Sequence, residues 1–261
     1  MYITLGGQNV SFSKKNSLFA EQKVYYQKVG KGKDLILIHG WGADVSTFWP
    51  IIDFLKDSFI LWLIDLPGFG RSQLPKKQFT ISDFAKTIAE FIKKNDIKKP
   101  TILGHSYGGK VAIKLANVYP NLIDKLILEG SSGISPKKSF LQILIYPFVK
   151  VAHFLMPDIM GARSKMRTKL YKKLESDYAD AGNMKSIFLN TLKEDLTAEL
   201  PTIKTETLLI WGEKDRAVPL KFGKKMYRLI EKSKIAIIED SGHFPHVENP
   251  ERFSYYVKDF V

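Results

Sequence analysis

Five residues, Gly104-His105-Ser106-Tyr107-Gly108, must carry this chain from a strand directly into a helix, and no other feature limits its fold as tightly. Thr101-Ile102-Leu103 before them reads as a short buried strand. Val111-Ala112-Ile113 and Leu115-Ala116 after them read as the buried face of a helix. A G-x-S-x-G turn in that context is so sharp that it strains the serine backbone and projects the hydroxyl out of the sheet. The flanking positions must then be small, or side chains would meet the neighbouring strand and helix. Gly104, Gly108 and Gly109 satisfy that demand.

The same alternation runs along most of the chain. Apolar strands are expected near 35–38, 59–64, 101–103, 126–128, 207–210 and 234–238, with helical patterns between them. Thr80-Ile81-Ser82-Asp83 offers a capping box, and Ile81, Phe84, Ala85, Ile88, Phe91 and Ile92 recur on one helical face up to Lys93-Lys94-Asn95. The first thirty-odd residues alternate instead, which predicts an antiparallel edge. Together these patterns predict an α/β fold: a mostly parallel sheet with helices on both faces. At 261 residues the chain suits one core domain, residues 1–132 and 201–261, with residues 133–200 inserted as a helical cap.

A serine hydroxyl needs a base, an orienting carboxylate and oxyanion donors before it can act as a nucleophile. The chain offers candidates for each just past predicted strands, where parallel sheets collect ligand chemistry. Asp215 lies in the loop after the strand ending at Trp211, with Glu213 and Glu129 as alternative acids. His243 follows the strand 234–238, with His246 as its competitor. Of the five histidines, His105 reads as packed against the sheet, His153 as a partly buried cap residue and His39 as part of a loop with Gly40-Trp41-Gly42. That loop would aim the Trp41 N–H at the serine, and Tyr107 would supply the second oxyanion donor. Asp65 and Arg71 read as structural residues.

His39-Gly40-Trp41-Gly42, Asp65-Leu66-Pro67-Gly68-Phe69-Gly70-Arg71-Ser72, Gly104 to Gly109, and Trp211 to Asp215 with Gly242-His243 resemble the motifs of the α/β-hydrolase fold superfamily. The order Ser106, Asp215, His243 is that of its serine-nucleophile branch. The resemblance includes carboxylesterases acting on a pimeloyl-carrier-protein methyl ester, C–C hydrolases of ring-cleavage products and lactonases. It implies a serine hydrolase that cleaves carboxylic esters through an acyl-enzyme, without metal or organic cofactor. Lactone or C–C hydrolysis with the same residues, or a ligand receptor with little turnover, are the alternatives.

Substrate choice is expected to lie in the insertion. Phe140, Leu144 and Phe148 would close over Trp41, Val218 and Phe244, making an apolar, walled pocket for short to medium acyl chains. The segment 140–156 is interrupted by polar residues and is shorter than the ~20 residues of a membrane span. Met166, Leu170 and Leu174 form an apolar stripe among Arg163, Lys165, Arg167, Lys169, Lys172 and Lys173. With a net charge of +13, that cluster suits a solvated helix or an acidic carrier protein. No stripe of bases with interleaved aromatics suggests nucleic acid. Cysteine is absent, so there is no disulfide framework or thiolate metal site, and the start lacks a basic segment followed by an apolar run, so a cytoplasmic location is expected.

Overall fold

A computed structural model describes residues 22–135 and 182–261, together with the strand backbones at 2–5, 8–11 and 13–19. Strands β1 (Tyr2–Leu5) and β2 (Gln8–Ser11) form an antiparallel pair of their own. The main sheet holds β3 (Ser13–Phe19), β4 (Gln22–Gly30), β5 (Lys33–Ile38), β6 (Phe59–Ile64), β7 (Thr101–His105), β8 (Lys125–Glu129), β9 (Glu206–Gly212) and β10 (Ser233–Ile238). Its order is β10-β9-β8-β7-β5-β6-β4-β3. The run from β10 to β6 is parallel, and β4 and β3 add the antiparallel edge that the alternating N-terminal sequence predicts.

The central strands are apolar on consecutive residues because both faces are covered. On β5, Ile36 and Ile38 face one core with Trp62, Ile102, Leu128 and Trp211, while Leu35 and Leu37 face the other with Leu63, Leu103 and Ile210. Helices α1 (Trp49–Leu55), α2 (Ile81–Lys94), α3 (Tyr107–Val118), α4 (Gly182–Lys193), α5 (Leu220–Leu229), α6 (Pro245–Glu248) and α7 (Pro250–Phe260) follow in chain order. The first core receives Phe84 and Ile88 of α2, Val111 and Leu115 of α3, and Met226 of α5. The second receives Ile51 and Ile52 of α1 and Phe253 and Val257 of α7. Each such side chain removed from water contributes roughly 1.5–3 kcal/mol. Ile187 of α4, with Leu196, Leu200 and Ile203 beyond it, also packs into the first core.

Helix α2 starts where its capping box requires. Thr80 Oγ1 accepts the Asp83 N–H at 3.2 Å, and Asp83 Oδ2 accepts the Thr80 N–H at 2.9 Å. Lys93 and Lys94 then meet the negative end of its dipole. No helix among the described residues is long and apolar enough to cross a membrane.

Sheet order determines where a site can form. The chain leaves β5 for β6 on one side and returns to β7 on the other, so β5 and β7 flank the topological switch point. Crevices in open parallel sheets open there, at the carboxyl ends of the strands.

Candidate functional site

Ser106 stands at that end of β7 with φ +51° and ψ −111°, a conformation L-residues rarely adopt. Its backbone is held from several sides. The N–H donates to the Glu129 carbonyl at 2.9 Å, and its own carbonyl accepts from Gly109, Lys110 and Ser132 N–H at 3.1, 3.3 and 3.0 Å. Such over-determination is how a strained residue persists at a cost of ~1–3 kcal/mol. Close approach explains the flanking glycines. A Cβ on Gly108 would strike the carbonyls of Ile38 and His39, and one on Gly104 would lie 2.5 Å from the Gly108 oxygen.

The structure brings Asp215 and His243 to this serine. His243 Nε2 lies 3.0 Å from Ser106 Oγ, and His243 Nδ1 lies 2.9 Å from Asp215 Oδ2. Asp215 is buried, and its other oxygen accepts the N–H groups of Ala217 and Val218, each at 2.8 Å. A carboxylate only accepts, so the Nδ1 proton is assigned to His243 and the Nε2 lone pair faces the hydroxyl. Glu248 clamps the loop, accepting Gly242 N–H at 2.5 Å and Phe244 N–H at 3.0 Å.

On the opposite side of Ser106, the loop after β5 is held by His39. Its Nε2 accepts the Leu66 N–H at 3.0 Å, so Nδ1 carries the proton and donates to the Gly40 carbonyl at 2.7 Å. Burial pushes this imidazole down to about 4, which keeps it neutral. A Cβ on Gly40 would sit 3.3 Å from that of Ser106, so the loop passes directly beside the serine. Asp65 braces both neighbouring loops, accepting Val45 N–H and Arg71 N–H at 2.8 Å each. Burial pushes its carboxyl up to about 6. The Trp41 ring packs edge-on to Phe69 and Tyr107 and lies 4.5 Å from Phe188 of α4. The Tyr107 N–H opens α3, where helical geometry gives it no carbonyl partner.

Residues 34–250 match the family model described as alpha/beta hydrolase fold. The chain belongs to that family. It is 27% identical over 254 residues to the uncharacterized hydrolase YugF of Bacillus subtilis (strain 168), covering 91% of this chain and 92% of that one. It is 28% identical over 254 residues to a pimeloyl-[acyl-carrier protein] methyl ester esterase of Vibrio campbellii, covering 91% and 98%. Among solved structures, a membrane phospholipase A is similar with TM-score 0.79 and 26% identity, over 95% of this chain and 85% of that one.

Within this hydrolase fold, the alternative base and acid take other places. His246 is buried and turned away from the serine, with Nε2 3.1 Å from Thr47 Oγ1 and Nδ1 2.7 Å from Glu129 Oε1. Glu213 lies outside the row, accepting the Asp240 N–H at 3.4 Å. Phe244 packs against the His105 and His243 rings at the surface, while Val218 packs against the core and accepts the Trp211 indole N–H. Phe140, Leu144, Phe148, His153 and the basic cluster 163–173 lie outside the described residues. Sequence reasoning missed Phe69, Phe188 and Glu248. The spacing Met184, Ile187, Phe188, Thr191 carries a helical signal that would have found the second of these.

His105, Glu129 and His246 are buried, with ligand-type atoms within 4.8 Å of one another. The 2.7 Å between His246 Nδ1 and Glu129 Oε1 is a hydrogen-bond distance. Two ligands on one zinc ion at the usual ~2.0–2.1 Å would stand over 3 Å apart, so the pair is built for a proton.

Proposed function

We propose that this protein hydrolyses carboxylic esters through an acyl-enzyme on Ser106, with His243 as base and Asp215 as the carboxylate that orients it. The observation that supports this reading is the hydrogen-bonded row Ser106 Oγ, His243 Nε2, His243 Nδ1, Asp215 Oδ2, with its 3.0 and 2.9 Å links. As Ser106 Oγ attacks the carbonyl carbon, its proton passes to His243 Nε2. Negative charge collects on the former carbonyl oxygen, facing the N–H groups of Trp41 and Tyr107. His243 gives the proton to the leaving alkoxide, and the alcohol departs. Water then attacks the acyl carbon, with His243 taking its proton and returning it to Ser106 Oγ as the acid is released. Asp215 keeps the imidazole in one tautomer and stabilises its cation, and these steps use only the chain's own residues.

The acyl group lies against Trp41, Phe69, Tyr107 and Phe188. Such a walled apolar pocket favours short to medium acyl chains. A lactone is the same bond closed into a ring and is open to the same steps. An acyl group borne by an acidic carrier is suggested by the Vibrio campbellii relative and by the net charge of +13.

The test is a series of p-nitrophenyl esters of graded chain length, with lactones and ring-cleavage products alongside. Multiple turnover with a maximum at short to medium chains is expected, and Ser106→Ala should lose ~10³-fold or more in kcat while staying folded. A single slow turnover leaving a stable adduct would instead indicate a receptor, and near-normal turnover by Ser106→Ala would remove the serine from the mechanism.

A further inference from the structure

Glu129 ends β8, paired in register with His105 on β7, and is wholly buried. Three parts of the site meet on it. Its backbone carbonyl accepts the Ser106 N–H at 2.9 Å. Its side-chain Oε1 accepts both the backbone N–H of His246 at 3.0 Å and the ring Nδ1–H at 2.7 Å. Since Nδ1 carries that proton, His246 Nε2 accepts from the Thr47 hydroxyl at 3.1 Å. Thr47 lies in the 3-10 turn Val45–Phe48 that follows the Trp41 loop. His246 itself is three residues beyond His243, across Phe244 and Pro245.

The second oxygen, Oε2, has no hydrogen-bond partner among the described residues and lies 3.5 Å from His105 Nδ1, which likewise has none. The His105 ring is 4.8 Å from the His243 ring and 5.0 Å from that of His246, centroid to centroid. It also abuts Gly40, whose Cβ would fall 3.1 Å from His105 Cδ2. Burial pushes the His105 imidazole down to about 4. For Glu129, desolvation pushes upward, but the His246 and His105 rings outweigh it and hold the carboxyl below the ordinary carboxylate range. Burying a carboxylate costs several kcal/mol, and anchoring one turn of loop does not by itself require a charge.

We propose that Glu129 is a positioning residue for hydrolysis: through His246 it sets the loop carrying His243 at its working height over Ser106, and through His105 it backs the imidazole itself. This rests on the esterase reading above. The geometry ties the base loop to the Glu129 side chain and the nucleophile to its backbone carbonyl, so a shift of the carboxylate moves base and nucleophile relative to each other. Misplacement approaching 1 Å in a catalytic constellation costs up to ~10²-fold in rate.

The experiment compares Glu129→Gln, Thr47→Val and Val257→Ala with the parent in the full chain. Active serines are counted by labelling with a fluorophosphonate, and p-nitrophenyl acetate gives kcat per labelled site and KM. Glu129→Gln should label fully but turn over ~10- to 100-fold more slowly per site, with KM within about twofold. Thr47→Val removes only the hydroxyl beyond His246 and should fold normally, with kcat per site lowered several-fold. Val257→Ala trims the second core without touching a bond of Glu129, His246 or Thr47, and should lower stability while leaving kcat per site unchanged. Unchanged kcat per site in both Glu129→Gln and Thr47→Val overturns the proposal, as does a loss matched by Val257→Ala. A parent protein that neither labels nor turns over esters would instead refute the underlying esterase reading.

Discussion

The phenol of Tyr107 donates to Thr191 Oγ1 at 3.1 Å, joining the first residue after Ser106 to helix α4. Thr191 passes its own proton to the Ile187 carbonyl at 2.7 Å, and its carbonyl accepts from Lys110 Nζ at 2.5 Å. One turn further on, Lys114 pairs with Glu194 at 3.4 Å and with Glu199. Helix α3 therefore starts at the serine and holds α4 and the segment after it along its length.

That bond is asymmetric, which makes it testable. Tyr107→Phe leaves Thr191 still bonded to Ile187 and should cost about 0.5–1.5 kcal/mol. Thr191→Val strands a buried phenol and should cost more, about 1–3 kcal/mol. Urea unfolding of the two variants checks the order, and a larger loss in Tyr107→Phe would contradict it.

Phe188 meets Trp41 with ring centroids 4.5 Å apart, where the proposed acyl pocket lies. Phe188→Ala should move the optimum toward longer p-nitrophenyl esters and change the ratio of kcat/KM between long and short chains by about tenfold. An unchanged chain-length profile would place the acyl group elsewhere.

Stability should fall as pH drops from 6.5 toward 4. His39 and His105 have folded values of about 4 against an ordinary 6.5, so in this window the unfolded chain binds their protons first. Asp65 acts oppositely, because its folded value of about 6 lies above the ordinary 3.8 and the folded chain binds that proton. Between about pH 4 and 6 these three leave two protons favouring the unfolded chain and one the folded, a net loss of about 1.4 kcal/mol per pH unit on acidification. Asp65→Asn removes the opposing proton and should roughly double the slope, measured by urea unfolding across that range. A slope unchanged or reversed in the variant would contradict the assignment.

Two glycines near the serine should respond differently to alanine. Gly108→Ala drives a Cβ into backbone carbonyls that cannot rotate away, and should cost more than about 3 kcal/mol or prevent folding. Gly42 has φ +74° with open space around it, so Gly42→Ala should cost only the ~1 kcal/mol of a left-handed backbone. Thermal melts of the pair distinguish crowding from conformation, and equal losses would refute the distinction.

What the sequence determined by itself is short-range. The apolar runs that became β5 to β10, the capping box at Thr80, and the small residues around Ser106 follow from side-chain period and local sterics, which act over a few residues. They also marked Ser106, Asp215 and His243, because each sits just past a strand. Between His243 and His246 the sequence left a choice, since both follow the same strand within three residues. Tertiary structure turned His243 to Ser106 and His246 to Glu129, a partner 117 positions away. The meeting of Phe188 with Trp41 has the same origin. Such pairs depend on β8 lying beside β7 and on α4 packing against the Trp41 loop. Those placements come from burying two faces of one sheet at once, a condition on the whole chain that no local pattern encodes.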